Sequence, residues 1–274
     1  MENYRKDKVR FQPNNLGSLY VIKEGLCKNE PTIYIGGQME HRFHVIEQTG
    51  YTGDPGHNMF DGSWFYDYPL WGKKSEYNTE NFAKNLIDAL EESKLENVTL
   101  VTESAGGLIG AYVTSNPRIK KVIAIHPPII GTPLADASKM ALMIEEKTRE
   151  DKMLLWLLNI IVNTNYGFEH DNYNGVNLDK VDLDKLLVVS SKLNRLTEKN
   201  KIAITTHDLI YKTTGLESDG VVVYDQDTLS RLGIKYLENE VELNHFDAGS
   251  KKYINDVYMR TRRLGSLNVR RATA

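Results

Sequence analysis

The chain of 274 residues has a single cysteine, Cys27. No intrachain disulfide can form, and such cysteine usage fits a reducing compartment. Long apolar runs are missing too. The longest, 153–162, is interrupted by Asn159 and falls far short of the roughly 18 residues that a membrane helix needs. Residues 1–10 are charged and have no apolar stretch, so no secretory signal is expected. There is no surplus of positive charge: 34 Lys and Arg stand against 37 Asp and Glu, a net charge of −3 that argues against a nucleic-acid partner. Internal repeats and low-complexity segments are absent. The glycines between 50 and 62 lack the G-x-G-x-x-G spacing of a dinucleotide fold. None of the seven histidines lies in an H-E-x-x-H pattern or a Cys/His ligand set, so neither a metal nor another cofactor is implied. The expectation is a soluble, cytoplasmic protein.

What is present is a globular composition arranged as alternating strands and helices. Apolar or β-branched runs at 19–23, 31–35, 64–67, 98–101 and 122–125 read as strands. The segment 79–94 reads as a helix, capped by Thr79 and carrying Phe82, Leu86, Ile87 and Leu90 on one face. A second helix fits 106–114, ending near Asn116-Pro117. This alternation predicts an α/β fold with a mostly parallel sheet and helices on both faces. From 138 to 199 the chain reads as helical, apart from an ambiguous run at 186–189. Strand-like segments resume at 202–205, 221–224 and 240–243, and a last helix fits 251–263. The resulting division is a core from 1–137 and 200–274, interrupted by a helical cap insertion at 138–199. The basic residues from Arg260 to Arg271 read as a solvated helix end and tail.

The most informative stretch is Val98-Thr99-Leu100-Val101-Thr102-Glu103-Ser104-Ala105-Gly106-Gly107-Leu108. A strand runs into a serine with small neighbours and then into a helix. A sharp turn there lifts the hydroxyl clear of the strand end, and the following helix directs its N-terminus at developing negative charge. This is the nucleophile-elbow pattern, with Thr102 where the first glycine usually stands. A serine nucleophile needs a base and a group that orients the base. Ser218-Asp219-Gly220-Val221-Val222 and Leu243-Asn244-His245-Phe246-Asp247 supply them in the order serine, acid, histidine. Asp219 would hold the His245 imidazole, and His245 would take the Ser104 proton. Oxyanion donors are expected from the backbone N–H of Ala105 and, after the strand at 31–35, from that of Gln38, with Gly37 as the next choice. Among the other histidines, His41 and His44 are candidates for the site mouth. His126, before Pro127-Pro128, reads as a packing residue, and His57, His170 and His207 have no evident partner.

These pieces resemble the α/β-hydrolase family, and within it bacterial lipases and carboxylesterases. The matching segments are Thr102-Glu103-Ser104-Ala105-Gly106-Gly107-Leu108, then Ile125-His126-Pro127-Pro128-Ile129-Ile130-Gly131-Thr132-Pro133-Leu134-Ala135-Asp136, and the two loops carrying Asp219 and His245. The resemblance implies an α/β-hydrolase fold and a serine-based mechanism. Some lipases of this kind hold calcium beside the histidine loop, where Asp247 matches. The second carboxylate expected upstream of the acid loop is not evident, because Lys199-Asn200-Lys201 lies there. Asp247 is accordingly read as a loop or cap residue. The insertion resembles a lid. Its apolar run, including Trp156, either packs into the core or covers an acyl pocket, and Tyr68 and Trp71 either line a pocket wall or pack.

The leading expectation is a serine hydrolase of carboxylic esters with a small, partly apolar ester as substrate. A thioesterase, polyester depolymerase or acyltransferase would use the same triad. A non-catalytic binding protein on the same fold is the reading of a different class. Oligomeric state is not legible in the sequence.

Overall fold

A computed structural model describes residues 9–11, 16–21, 31–37, 63–68, 77–135, Lys152, Leu155, 174–238, 243–248 and 251–263. Eight strands form one sheet: β1 (Val9–Phe11), β2 (Ser18–Val21), β3 (Thr32–Ile35), β4 (Ser63–Asp67), β5 (Val98–Glu103), β6 (Ile119–Ile125), β7 (Leu186–Ser190) and β8 (Lys235–Glu238). Their spatial order is β1-β2-β4-β3-β5-β6-β7-β8. The first two strands pair antiparallel, and every pairing from β4 to β8 is parallel. Parallel strands need crossovers, and the helices that provide them cover the faces of the sheet.

Side chains alternate across the sheet with a period of two. Ile33, Ile35, Leu100, Val122, Ala124 and Val188 enter one core, and Tyr34, Val101, Ile123, Ile125 and Val189 enter the other. The first core is closed by α1 (Thr79–Glu92) and α2 (Gly106–Val113). Phe82, Leu86 and Leu90 of α1 are fully buried there, each contributing on the order of 2 kcal/mol by removal from water. Asn78 rather than Thr79 caps α1, its side chain accepting from the Asn81 N–H at 2.9 Å. The second core is closed by Ile254 and Val257 of the C-terminal helix Lys251–Arg263. No described helix is long and apolar enough to cross a membrane.

Three expectations change in the second half. Residues 202–205 are not a strand; they belong to α3 (Lys201–Thr214). The β-branched run suggested a strand, yet Asn200 caps a helix there by accepting from the Ile202 and Ala203 N–H groups, and Gly215 ends it at φ 73°. Residues 221–224 form a turn closed by a bridge between Ser218 and Val223, with no ladder. The sheet instead ends on β8, which follows the short α4 (Gln226–Arg231); of 240–243, only Leu243 is described. The run at 186–189 is β7, paired with both β6 and β8. This strand falls inside the segment 138–199 that the sequence reading assigned to a helical insertion. Between 138 and 185 only Lys152, Leu155 and 174–185 are among the described residues.

Register brings the site together. Ile35 pairs with Thr102, Glu103 with Ile125, and Ile125 with Val189. The carboxyl ends of β3, β5, β6 and β7 are therefore level, and the residues just beyond them share one edge of the sheet.

Candidate active site

Ser104 follows β5 directly and has φ 50°, a left-handed conformation that costs an L-residue about 1–2 kcal/mol. Its backbone is held from two sides: the Ser104 N–H donates to Ile125 O at 2.9 Å, and Ser104 O accepts from the Gly107 N–H at 2.9 Å. The small residues beyond it are required by close approach. A Cβ on Gly106 would stand 2.5 Å from Gly36 O, which is backbone and cannot yield. The Ala105 N–H opens α2 and is among the groups a helix leaves without an intrahelical acceptor.

The acid loop follows α3. The Asp219 N–H donates to Val222 O at 3.1 Å, and Asp219 Oδ1 accepts from the N–H groups of Val221 and Val222 at 2.8 and 2.7 Å. These bonds consume the donors that a strand at 221–224 would have needed. Thr132 Oγ1 donates to Val221 O at 2.5 Å, tying the segment after β6 to this loop. His207, on α3, lies under it, with Nδ1 3.1 Å from Ser218 Oγ. The histidine loop docks through its backbone, the His245 N–H donating to Asp219 O at 2.8 Å. His245 then opens the short helix α5 (His245–Ala248), which is followed by the C-terminal helix α6 (Lys251–Arg263).

The structure brings Ser104, His245 and Asp219 into one chain. Ser104 Oγ is 2.8 Å from His245 Nε2, and His245 Nδ1 is 2.7 Å from Asp219 Oδ2. Both distances are those of good hydrogen bonds. Asp219 is 1% exposed. Burial alone would raise its carboxyl, but the neighbouring His245 and His126 rings and the hydrogen bonds they donate outweigh this and hold it well below the ordinary range. The carboxylate stays ionised at neutral pH and fixes the His245 proton on Nδ1, leaving Nε2 free to accept from Ser104.

Two residues near this chain escaped the sequence reading. His126 is not a simple packing residue: its Nδ1 lies 2.6 Å from the same Asp219 Oδ2. Glu103 is also buried. Its Oε2 accepts from the Gly37 N–H at 2.8 Å, and its Oε1 lies 3.9 Å from His245 Nε2. The Gly37 N–H is thereby committed, which removes the second-choice oxyanion donor. The only available signal was position: both residues stand at the carboxyl end of a central strand, where a parallel sheet gathers its functional groups.

Other expected site residues are distributed as follows. Tyr68 is fully buried, and its hydroxyl donates to Gly36 O at 3.0 Å, so it meets the site from behind, through the backbone of the loop after β3. Gln38, Trp156 and Trp71 lie outside the described residues, as do His41, His44, His57 and His170. Asp247 is held by Asn244, whose Oδ1 accepts from the Asp247 N–H at 3.0 Å. Asn244 Nδ2 donates both to Asp247 Oδ2 and to Glu198 Oε2, at 2.7 and 2.8 Å. Glu198, just before 199–201, thus meets Asp247 through the Asn244 amide. Among the described residues, His126, Asp219 and His245 form one cluster with metal-ligand spacing. Both oxygens of Asp219 already accept two N–H donors each, which satisfies the cluster as a hydrogen-bonded set.

A mostly parallel sheet of this order, with a strained serine between its central strand and a helix, defines the α/β-hydrolase fold. No protein-family model matches the chain, and neither does any curated protein sequence. Solved structures do match. The mature lipase BlEst2 of Bacillus licheniformis is 15% identical with a TM-score of 0.50, over 89% of this chain and 97% of that one. MGS-M2, an α/β-hydrolase enzyme from a Medee basin deep-sea metagenome library, is 12% identical with a TM-score of 0.52, over 94% and 98%. A putative aryl esterase from Burkholderia cenocepacia is 14% identical with a TM-score of 0.50, over 91% and 96%. At these identities the likeness is one of fold.

Proposed function

We propose that the protein is a serine hydrolase that cleaves carboxylic esters. The observation that supports this reading is the unbroken chain from Ser104 Oγ through His245 to Asp219, built on a left-handed serine at the end of the central strand. In the proposed reaction Ser104 Oγ attacks the ester carbonyl carbon while its proton passes to His245 Nε2. The carbonyl oxygen becomes an oxyanion, met by the Ala105 N–H at the start of α2 and, on the sequence reading, by that of Gln38. Collapse breaks the carbon–oxygen bond to the leaving alcohol, which takes the proton from His245. Water then repeats the sequence on the acyl-enzyme and restores Ser104. Asp219 remains ionised throughout and stabilises the imidazolium.

The apolar acyl group and the role of Trp156 rest on the run 153–162, and the cytoplasmic setting on the single cysteine. Titration with a fluorophosphonate, followed by peptide mass spectrometry, tests the nucleophile. The expected result is one stoichiometric adduct on Ser104 that vanishes in Ser104→Ala; labelling that persists in the variant assigns the chemistry elsewhere.

A further inference from the structure

Glu103 completes with its side chain a hydrogen-bond ladder that its backbone leaves unfinished. Parallel strands exchange bonds at every second residue. Between β3 and β5 the Thr99 N–H donates to Pro31 O at 2.9 Å, and the register runs from Thr32 opposite Thr99 to Ile35 opposite Thr102. By steps of two, the Gly37 N–H would be due at the main-chain oxygen of Glu103. The chain turns instead at Ser104, with φ 50°. The Gly37 N–H meets the Glu103 side chain, whose Oε2 accepts at 2.8 Å. The carboxyl group thus carries the loop after β3 one bond past the end of the ladder.

That bond lays the loop against the nucleophile. A Cβ on Gly37 would stand 2.7 Å from Ser104 Cβ and 2.3 Å from Glu103 Oε2, so glycine is required. The preceding peptide is held as well, Gly36 O accepting from the Tyr68 hydroxyl at 3.0 Å. Gln38, the oxyanion donor expected from the sequence, is the next residue along the chain. We propose that Glu103 is a positioning residue that fixes this loop against Ser104, so that the oxyanion donor it carries is in place before the ester arrives. The catalytic half of this rests on the hydrolase reading; the anchoring of Gly37 does not. A donor held in advance costs no reorganisation when charge develops on the carbonyl oxygen. What the loop uses is an accepting oxygen, so an amide oxygen should serve in its place. The other carboxyl oxygen, Oε1, lies 3.9 Å from His245 Nε2, outside hydrogen-bond distance, while Ser104 Oγ is at 2.8 Å from that nitrogen.

The test has two arms. Glu103→Met fills the same space without an acceptor, and Glu103→Gln keeps an oxygen for the Gly37 N–H. Should Glu103→Met fold poorly, Glu103→Asp takes its place, because it withdraws the oxygen by one methylene. In the first arm, hydrogen exchange of the assigned Gly37 amide is followed by NMR. Exchange should be slow in the wild type and in Glu103→Gln, and faster by on the order of tenfold or more in Glu103→Met. A Gly37 amide that exchanges at the same rate in Glu103→Met as in the wild type overturns the anchoring. In the second arm, hydrolysis of p-nitrophenyl butyrate is measured. Glu103→Met should lose on the order of 10²-fold in kcat with KM within about threefold of wild type, and Glu103→Gln should recover most of the loss. An unchanged kcat, a loss confined to KM, or a Glu103→Gln variant as impaired as Glu103→Met overturns the effect on the oxyanion donor. Absence of turnover in the wild type counts against the hydrolase reading and the catalytic half with it, while the exchange rates still decide the anchoring.

Discussion

Replacing Asp219 with Asn probes the hydrogen-bond logic of the site at one atom. The carboxylate accepts from Val221 and Val222 on Oδ1 and from His126 and His245 on Oδ2. An amide offers one oxygen and one NH2. Backbone N–H groups cannot surrender their protons, whereas imidazoles can, so the amide oxygen stays on Val221 and Val222 and the NH2 turns to the rings. His245 Nδ1 must then accept, its proton moves to Nε2, and Nε2 donates to Ser104 Oγ instead of accepting from it. By comparison with the same change in other Ser-His-Asp triads, kcat should fall on the order of 10⁴-fold, equivalent to about 5 kcal/mol of barrier. Stability should fall less, because the NH2 still meets both rings. Two charge-assisted bonds become neutral ones, for a loss of about 2 kcal/mol at neutral pH. The sign of the pH dependence follows from the depressed Asp219 carboxyl. Its contribution is complete above the unfolded value, about pH 4, and is lost as the pH falls from there toward the folded value. Urea denaturation should therefore show a gap between wild type and variant that is widest near neutrality and narrows below about pH 4. Hydrolysis within tenfold of wild type, or a gap that widens on acidification, would refute the reasoning.

Two further substitutions test how the elbow is built. Ser104→Gly should melt higher than Ser104→Ala: both lose the hydroxyl, but only glycine relieves the left-handed backbone, for a difference of about 1 kcal/mol or roughly 2–4 °C in a chain of this size. The reverse order would show that the φ of 50° stores no strain. Thr102 is fully buried on β5 and its Oγ1 has no hydrogen-bond partner among the described residues. Thr102→Val keeps the shape and removes the unsatisfied hydroxyl, so it should raise stability by about 1 kcal/mol, and a lower melting temperature would contradict that assignment.

Local signals carried much of the fold and of the candidate site. The elbow is a contiguous pattern from Thr102 to Leu108, and α1 shows a clear apolar face, so each was legible in one window of sequence. The acid and histidine loops were found because their residue types and chain order were already specified by the serine. Errors came where tertiary bonds overruled composition. Ile202-Ala203-Ile204-Thr205 has strand-like residues, but Asn200 and Gly215 bracket it as a helix, and those two caps were the signal to heed. Val221 and Val222 look like a strand until Asp219 takes both of their N–H groups. The bond from His126 to Asp219 spans 93 residues, and no local pattern announces it.

Ester hydrolysis itself tests the central claim most directly. Rates over p-nitrophenyl esters of increasing acyl length should show turnover by the wild type and a loss of roughly 10⁴-fold or more in Ser104→Ala under the same conditions. Equal rates in the two proteins, or a wild type that binds the esters and turns over none of them, would contradict the account.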